Sequence, residues 1–369
     1  MKRFIFSSSF FLACLFLLAG CDTAISPPSP VLPKATASAG ANSGVGTILV
    51  TYHGHQSQVE VNAIAWSPDS TRIASGGADG VQIWDAATGN QLLAITNGDH
   101  LLFQRLSVNA LAWSPDGKRL VIGGSFGFGT VSGQTVNESS SGIGVWDTTT
   151  GKTVLDSFDA NDEFKAVAWS PDGKRIAGSG TENTVRVWDA ATGKTLQTYK
   201  GHTNTVASLA WSPDSTSIAS ASFDDTVQIW NATTGKTLLT YKGHTQSVEA
   251  VAWSPDGKYL ASGGADLLVQ VWDATTGTTI LTYKGHSGEI RLIAWSPDGK
   301  RVVSGSVGTA GAPADEPIQV WDALTGANAY VFSEHSGNAI ALAWSPDGTR
   351  IASALNLSPR TNLVEVWQA

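Results

Sequence analysis

Cysteine is almost missing from this chain of 369 residues: there are two, Cys14 and Cys21, both close to the N-terminus. The rest of the chain therefore offers no disulfide framework, no thiolate metal site and no cysteine nucleophile. Charged residues are also scarce, at 15% of the sequence, against about 25% in an average soluble domain. Because 42% of the residues are hydrophobic, this scarcity of charge argues against a disordered chain.

Long hydrophobic runs are absent except at the N-terminus, which excludes a polytopic membrane protein. There, Lys2 and Arg3 precede an apolar run over residues 4–18, shorter than the roughly 20 residues of a membrane-spanning helix. The run ends in Leu-Ala-Gly-Cys at 18–21, which resembles the signal of bacterial lipoproteins. This resemblance implies that residues 1–20 are a cleaved signal peptide and that Cys21 is lipidated. The protein is then expected at the cell membrane, lipid-anchored on the extracytoplasmic side; an uncleaved signal anchor is the alternative.

Residues 21–45 differ in composition from everything that follows. Four prolines stand between residues 27 and 33, and the rest of the segment is rich in Ser, Ala, Thr and Gly. Such a segment buries too little apolar surface to order itself, and its prolines keep it extended. We interpret it as a flexible tether.

Tryptophan is abundant, and every Trp is a repeat position. Seven of the 14 Trp residues lie in an Ala-Trp-Ser-Pro-Asp segment, at positions 66, 113, 169, 211, 253, 295 and 344. A second Trp follows each of them, at positions 84, 146, 188, 230, 272, 321 and 367. From Trp169 to Trp295 the period is constant at 42 residues. The body of the chain is therefore seven copies of one unit.

Each unit predicts four short β-strands. In the fourth unit the first strand ends at Trp211, the second contains residues 218–221, the third 227–230 and the fourth 237–241. Ser-Pro-Asp-Gly and Thr-Gly segments supply the turns between them, with Pro fixing φ and Gly permitting positive φ. No stretch has a sustained helical period, so the predicted fold class is all-β.

The units resemble those of the WD-repeat family of β-propellers. Gly-His stands near the start of several units, as at 201–202 and 243–244, and Trp-Asp near the end, as at 188–189 and 272–273. The resemblance covers residues 46–369 and implies a seven-bladed propeller of four-stranded antiparallel sheets. The last unit lacks a fourth strand, and residues 46–52 match that strand in other units. We therefore expect the N-terminal strand to close the ring.

In this family a His, a Ser or Thr, an Asp and a Trp form a buried hydrogen-bond network within a blade. By position the resemblance implies this structural role for four sets, which are His55, Ser75, Asp79 and Trp84; His202, Ser220, Asp224 and Trp230; His244, Ser262, Asp266 and Trp272; and His286, Ser304, Asp315 and Trp321. A Ser-His-Asp set also fits a hydrolase, but catalytic triads do not recur at one spacing along a chain. Unit two has Ile122 in the Ser position and unit three has Gly178, so those blades are expected to depend more on apolar packing.

Insertions mark where function is expected. The two Trp of a unit are 18 or 19 residues apart in four units but 33, 26 and 23 apart in units two, six and seven. All three insertions fall between the second and third strands, which family topology places on the top face. The candidate binding residues are Leu101, Leu102, Phe103, Arg105, Phe126, Phe128, Phe223, Arg291 and Arg360. The unit-two insertion is interpreted as a flexible glycine loop carrying two aromatic anchors.

These observations predict a non-enzymatic scaffold that binds unidentified protein partners through its top face. The alternative is an enzyme or small-ligand binder with a site at the mouth of the central channel. It would need a non-repeated cluster of charged or His side chains there, and the sequence indicates none. No cofactor and no metal site is expected, and the propeller is expected to be monomeric. Loss of Lys2 and Arg3 with the signal changes the net charge of −8 to −10, which disfavours nucleic acid as a partner.

Overall fold

The computed structural model describes residues 44–56, 59–96, 103–128, 139–158, 163–308, 317–332, 338–357 and 361–369. All described residues belong to one compact unit, Pro33–Ala369. The predicted signal peptide, Cys21 and the tether up to residue 43 lie outside them.

The described residues form 28 β-strands in seven four-stranded antiparallel sheets, which we call blades one to seven. Blade one contains β2 Val61–Trp66, β3 Arg72–Gly77, β4 Gly80–Asp85 and β5 Gln91–Ile95. Blade two contains β6 Phe103–Trp113, β7 Arg119–Phe128, β8 Ser139–Asp147 and β9 Thr153–Phe158. Blade three contains β10 Phe164–Trp169, β11 Arg175–Gly180, β12 Val185–Asp189 and β13 Thr195–Tyr199.

The remaining blades follow the same order from the inner to the outer strand. Blade four contains β14 Val206–Trp211, β15 Ser217–Ser222, β16 Val227–Asn231 and β17 Thr237–Tyr241. Blade five contains β18 Val248–Trp253, β19 Tyr259–Gly264, β20 Val269–Asp273 and β21 Thr279–Tyr283. Blade six contains β22 Glu289–Trp295, β23 Arg301–Val307, β24 Ile318–Asp322 and β25 Tyr330–Val331. Blade seven contains β26 Asn338–Trp344, β27 Arg350–Leu357, β28 Thr361–Gln368 and, as its outer strand, β1 Ile48–Tyr52.

The first and last strands of the propeller close its ring, as the sequence predicts. β1 pairs antiparallel with β28, with Tyr52 opposite Val364. The amide of Gly46 donates to the carbonyl of Gln368 at 2.8 Å. Both termini of the propeller are thereby held in one sheet, and the fold class is confirmed as an all-β seven-bladed propeller.

The core consists of seven apolar clusters, each between neighbouring blades. The second Trp of every unit lies in these clusters, and Trp84, Trp230 and Trp272 have no exposed surface. A Tyr from the outer strand of the preceding blade stacks on several of these indoles: Tyr52 of β1 lies 4.6 Å from Trp84 between ring centroids. Each blade thus covers part of the next blade's core.

The first Trp of each unit also links neighbouring blades. The Trp113 indole Nε1 donates to the carbonyl of Ala65 in blade one at 3.0 Å. An Arg at the start of the second strand of one blade stacks on the first Trp of the next, with guanidinium-to-ring distances of 4.7–5.0 Å. We call these contacts the Arg–Trp pairs, and they are Arg72–Trp113, Arg119–Trp169, Arg175–Trp211, Arg301–Trp344 and Arg350–Trp66. The last one crosses the point of ring closure.

Candidate binding face and channel mouth

Antiparallel topology divides the connections between two faces. Strands alternate in direction, so the connections from second to third strand and from blade to blade open on one face, which we call the top face. The connections from first to second and from third to fourth strand open on the bottom face, where the Ser-Pro-Asp turns lie. All three insertions found in the sequence therefore open on the top face, next to the blade-to-blade connections.

The described ends of the insertion in blade two, residues 126–128 and 139–141, are strand, and its interpretation as a flexible glycine loop is wrong for those residues. β7 and β8 continue their pairing as far as Gly127 opposite Ser139. β6 is lengthened with them, and Phe103 lies opposite Phe128. Pairing supplies partners for backbone groups that a loop would leave to water, and the glycines fit within the ladder. Residues 129–138 of the insertion lie outside the described residues.

The structure brings two predicted segments together. Phe103 and Arg105 lie in β6, and Phe126 and Phe128 lie beside them in β7, so a blade-to-blade connection and an insertion form one sheet extension. Leu101, Leu102 and Arg360 lie outside the described residues. In blade four, Phe223 is 40% exposed in the turn between the second and third strands, where its amide donates to the carbonyl of Thr205 at 2.9 Å.

The inner strands surround the channel mouth. A cavity of about 190 Å³ is lined there by first-strand residues of blades one, two, three, six and seven. Asn62, Asn109 and Lys165 contribute its polar groups, and Leu292 and Ile340 are among its apolar ones. The lining of this cavity carries one charged side chain.

Arg291 belongs to a charged cluster beside this mouth that the sequence analysis did not find. Its guanidinium lies 2.8 Å from the carboxylate of Glu249 in the neighbouring blade and 2.9 Å from that of Glu289. Glu249 is 13% exposed, and this burial raises the pKa of its carboxyl while Arg291 opposes the shift. The expectation of no charged, non-repeated cluster is therefore wrong. Glu249 and Arg291 occupy equivalent positions in consecutive units, and a comparison across units would have revealed the pair.

The His, Ser, Asp and Trp side chains of blades one, four and five lie in hydrogen-bond contact. In blade four, His202 donates from Nδ1 to Asp224 at 2.8 Å, and the Ser220 hydroxyl lies 2.8 Å from Nε2. The Trp230 indole donates to the same hydroxyl oxygen at 3.2 Å. Equivalent contacts join His55 with Asp79 and Ser75, and His244 with Asp266 and Ser262.

These sets have the connectivity of a hydrolytic triad but not its access. Ser75, Ser220 and Ser262 have no exposed surface, and each hydroxyl oxygen already accepts an indole N–H. A nucleophile must reach its substrate. The geometry therefore fits a buried network that satisfies polar groups within a blade.

Blades two and three have no hydroxyl at the Ser position of this network. Ile122 is fully buried at the Ser position of blade two. At the Ser position of blade three, a Cβ on Gly178 would come within 3.1 Å of side-chain atoms of Ile143, Trp188 and Phe164. Glycine there makes room for Phe164, whose ring packs edge-on against Trp188. Apolar packing occupies the space of the hydrogen-bonded set.

In blade six the described residues form three members of the network. His286 Nε2 lies 2.6 Å from the Ser304 hydroxyl, which also accepts from Trp321 at 3.0 Å. Asp315 lies outside the described residues, and within the described part His286 Nδ1 has no hydrogen-bond partner. Burial lowers the pKa of the His286 ring from its ordinary value to about 4.

This lowered pKa predicts a loss of stability in mild acid. A ring that resists protonation when folded stabilises the protein above pH 6.5, and the free energy of unfolding falls as the pH drops from 6.5 towards 4, by up to ~3 kcal/mol. Urea unfolding at pH 7.0 and 4.5 measures this loss. We expect His286→Asn to reduce the difference between the two pH values, and His53→Asn, at an exposed position, to leave it unchanged. An equal difference in all three proteins would contradict the assignment.

The described residues contain no group of three or more potential metal ligands. No helix among them is long and apolar enough to cross a membrane.

Comparison with known families matches seven segments of the chain to the family described as "WD domain, G-beta repeat". The segments are residues 46–85, 99–126, 152–189, 193–231, 235–273, 277–309 and 326–367. The first segment begins two residues before β1 of blade seven and ends in blade one, so the repeat in the sequence is displaced by one strand from the blade. No curated protein matches the chain.

Proposed function

This chain belongs to the WD-repeat family, whose propellers are usually non-enzymatic scaffolds for protein interaction, and we propose that its top face binds protein partners at a membrane surface. One observation carries the proposal: the insertions in blades two, six and seven all open on that face. The bottom face instead repeats the same short turns around the ring. Variation confined to one face of a rigid repeat architecture is typical of a binding surface.

We propose the extension of blade two as the main contact. It joins β6, β7 and β8 beyond the length of the other blades, and it carries Phe103, Arg105, Phe126 and Phe128. Aromatic and Arg side chains are the usual anchors of protein interfaces. Exposed Phe223 in blade four adds a further apolar contact on the same face.

We further propose that lipidated Cys21 and the tether hold this face at the extracytoplasmic side of the membrane. The order of basic residues, apolar run and Leu-Ala-Gly-Cys in residues 1–21 supports the lipid anchor. The ring is entered through β1, whose first residue lies at the bottom face because β1 is a fourth strand. The described part of the chain therefore begins at the face opposite the insertions, which supports an anchor that does not compete with the top face.

The alternative function is a small-ligand site at the channel mouth. The cluster of Arg291, Glu249 and Glu289 is the observation that favours it. In that cluster, however, the guanidinium is already paired with two carboxylates. The adjoining cavity offers mainly amide and apolar groups. The scaffold therefore remains the better supported function.

Shortening the blade-two hairpin tests the scaffold. Replacing residues 126–140 by Asn-Gly joins Ser125 to Ser141, which lie opposite each other in the ladder, through a two-residue hairpin turn. In cross-linked pull-downs from the native membrane we expect recovery of specific partners to fall at least about tenfold, which is 1.4 kcal/mol or more, with melting still cooperative. Lys236→Glu, an exposed change on a bottom-face turn, is the matched control and should retain them. Equal recovery with both variants would remove the proposal.

A further inference from the structure

The interface between blades four and five lacks its Arg–Trp pair. The position that carries the stacking Arg holds Ser217 in blade four, opposite Trp253 of blade five. At the next interface this position is Tyr259, which packs in the same apolar cluster as Trp295. The first Trp of every other unit is buried, with 6–7% exposure, whereas Trp253 is only partly buried. One face of the Trp253 indole is therefore left without a stacking side chain.

A cavity opens where the missing guanidinium would lie. Its volume is about 400 Å³, and we call it the blade 4–5 cavity. Its lining includes Ser217, Leu238, Trp253, Ala274 and Thr275. Leu238 is 55% exposed at its edge, so the cavity is accessible from solvent.

The acceptors used by the arginines at other interfaces are all present here. Arg72 donates to the carbonyl of Gly117 at 3.0 Å, and Gly257 is the equivalent residue of blade five. Arg119 donates to the carbonyl of Ala190 at 3.1 Å, and Ala274 is its equivalent. Gly257 and Ala274 both line the cavity.

A side-chain acceptor repeats in the same way. Arg175 lies 3.4 Å from the hydroxyl of Thr233, whose equivalent in blade five is the cavity residue Thr275. This interface therefore has the acceptors of a guanidinium site, while Ser217 stands at the position that holds the arginine in other blades.

Two carboxylates line the cavity, those of Asp214 and Asp256. The ammonium of Lys258 lies 3.5 Å from Asp256, so Asp214 supplies most of the negative charge that matches a guanidinium. A hydrogen bond from the Ser212 hydroxyl lowers the pKa of the Asp214 carboxyl, and one from Ser254 lowers that of Asp256. Both carboxyls are therefore ionised at neutral pH. At other interfaces the aspartate equivalent to Asp214 approaches the stacking Arg, with Asp347 lying 3.2 Å from Arg350.

We propose that the blade 4–5 cavity binds a guanidinium group, presented as an arginine side chain by a partner polypeptide. The planar group stacks on Trp253 and donates to the carbonyls of Gly257 and Ala274 and to Thr275, while Leu238 and Pro213 contact the aliphatic stem. A lysine ammonium has no planar fork for these divergent acceptors and does not stack flat on an indole. This site is separate from the top face and does not depend on the function proposed for it.

Titration of the purified propeller, residues 44–369, with N-acetyl-L-arginine amide tests the site. Indole N–H signals are followed by two-dimensional NMR, with Trp253 assigned from Trp253→Phe. We expect a saturable shift of the Trp253 signal with a Kd on the order of millimolar, at least about tenfold weaker binding of N-acetyl-L-lysine amide, and no shift with the uncharged citrulline derivative. Equal shifts with the citrulline derivative would overturn the proposal.

Matched variants fill the cavity or create a second one. Ser217→Arg supplies the missing guanidinium and should abolish the shift and raise the melting temperature, whereas Ser217→Ala should keep the site open. Arg175→Ser should open an equivalent site over Trp211, so that two indole signals respond. Undiminished binding by Ser217→Arg would overturn the assignment, as would a single responding signal in Arg175→Ser. If the amide derivative binds but the blocked tripeptide Gly-Arg-Gly does not, the cavity takes free arginine and the polypeptide partner is wrong.

Discussion

A propeller that starts at residue 53 should fail to unfold cooperatively, whereas one that starts at residue 44 should unfold as the full-length protein does. The first lacks β1, and with it the buried side chains of Val50 and Tyr52. Burial of two such side chains contributes about 3–6 kcal/mol, and the stacking of Tyr52 on Trp84 adds ~1 kcal/mol. The loss is comparable to the total stability of a typical domain, about 5–15 kcal/mol.

Urea unfolding followed by Trp fluorescence, together with size-exclusion chromatography, measures this effect. The chain from residue 44 is the control, because it removes the tether and keeps the strand. Without β1, the edge of β28 is open and can pair with another chain, so we also expect oligomers in the shorter protein. Equal unfolding midpoints for the two proteins would show that the ring does not need its N-terminal strand.

Cys21→Ser should transfer essentially all of the protein from the membrane fraction to the soluble fraction. The Ser hydroxyl does not take the thioether-linked lipid, and each buried acyl methylene contributes about 0.8 kcal/mol to membrane binding. Two or more acyl chains therefore attach the protein stably to the membrane, and a protein without them diffuses freely. Fractionation with quantitative immunoblotting measures the change, and mass spectrometry of the N-terminal peptide checks the acylation.

Cys14→Ser is the matched control, because Cys14 lies within the predicted signal peptide and is removed with it. We expect this variant to remain in the membrane fraction. Persistence of Cys21→Ser in that fraction would support an uncleaved signal anchor and remove the lipid-anchor proposal. It would leave the top-face proposal standing, since the pull-down tests that separately.

Much of the fold could be predicted from the period of the tryptophans. The predicted fourth strand of unit four, residues 237–241, is β17 as observed. Ring closure could be predicted because the residues before unit one match a fourth strand, and a strand without a partner must find one. The length of β6, β7 and β8 could not be predicted, because Gly and Ser in an insertion are typical of loops. These residues are strand because each pairs with a residue of the neighbouring strand.

Contacts between residues of successive units could not be predicted by comparing the residues within one unit. Glu249 and Arg291 lie in adjacent inner strands, and Ser217 matters only because Trp253 of the next blade lies opposite it. Within one unit, each of these residues is visible as a departure from the repeat sequence, but the residue that it contacts belongs to the next unit. In a propeller one period along the chain is one step around the ring, so a departure in one unit changes its neighbour's surroundings.

The closure by β1 also determines how the propeller bears mechanical load. A force applied between the first residue of β1 and the top face would pull β1 along its own axis, because β1 runs from the bottom face towards the top. Its hydrogen bonds with β28 would then be sheared together, and Val50 and Tyr52 would have to leave their pockets at the same moment. A strand pulled from the opposite end would peel away one bond at a time. Attachment through the bottom end of the closing strand is therefore the mechanically resistant arrangement.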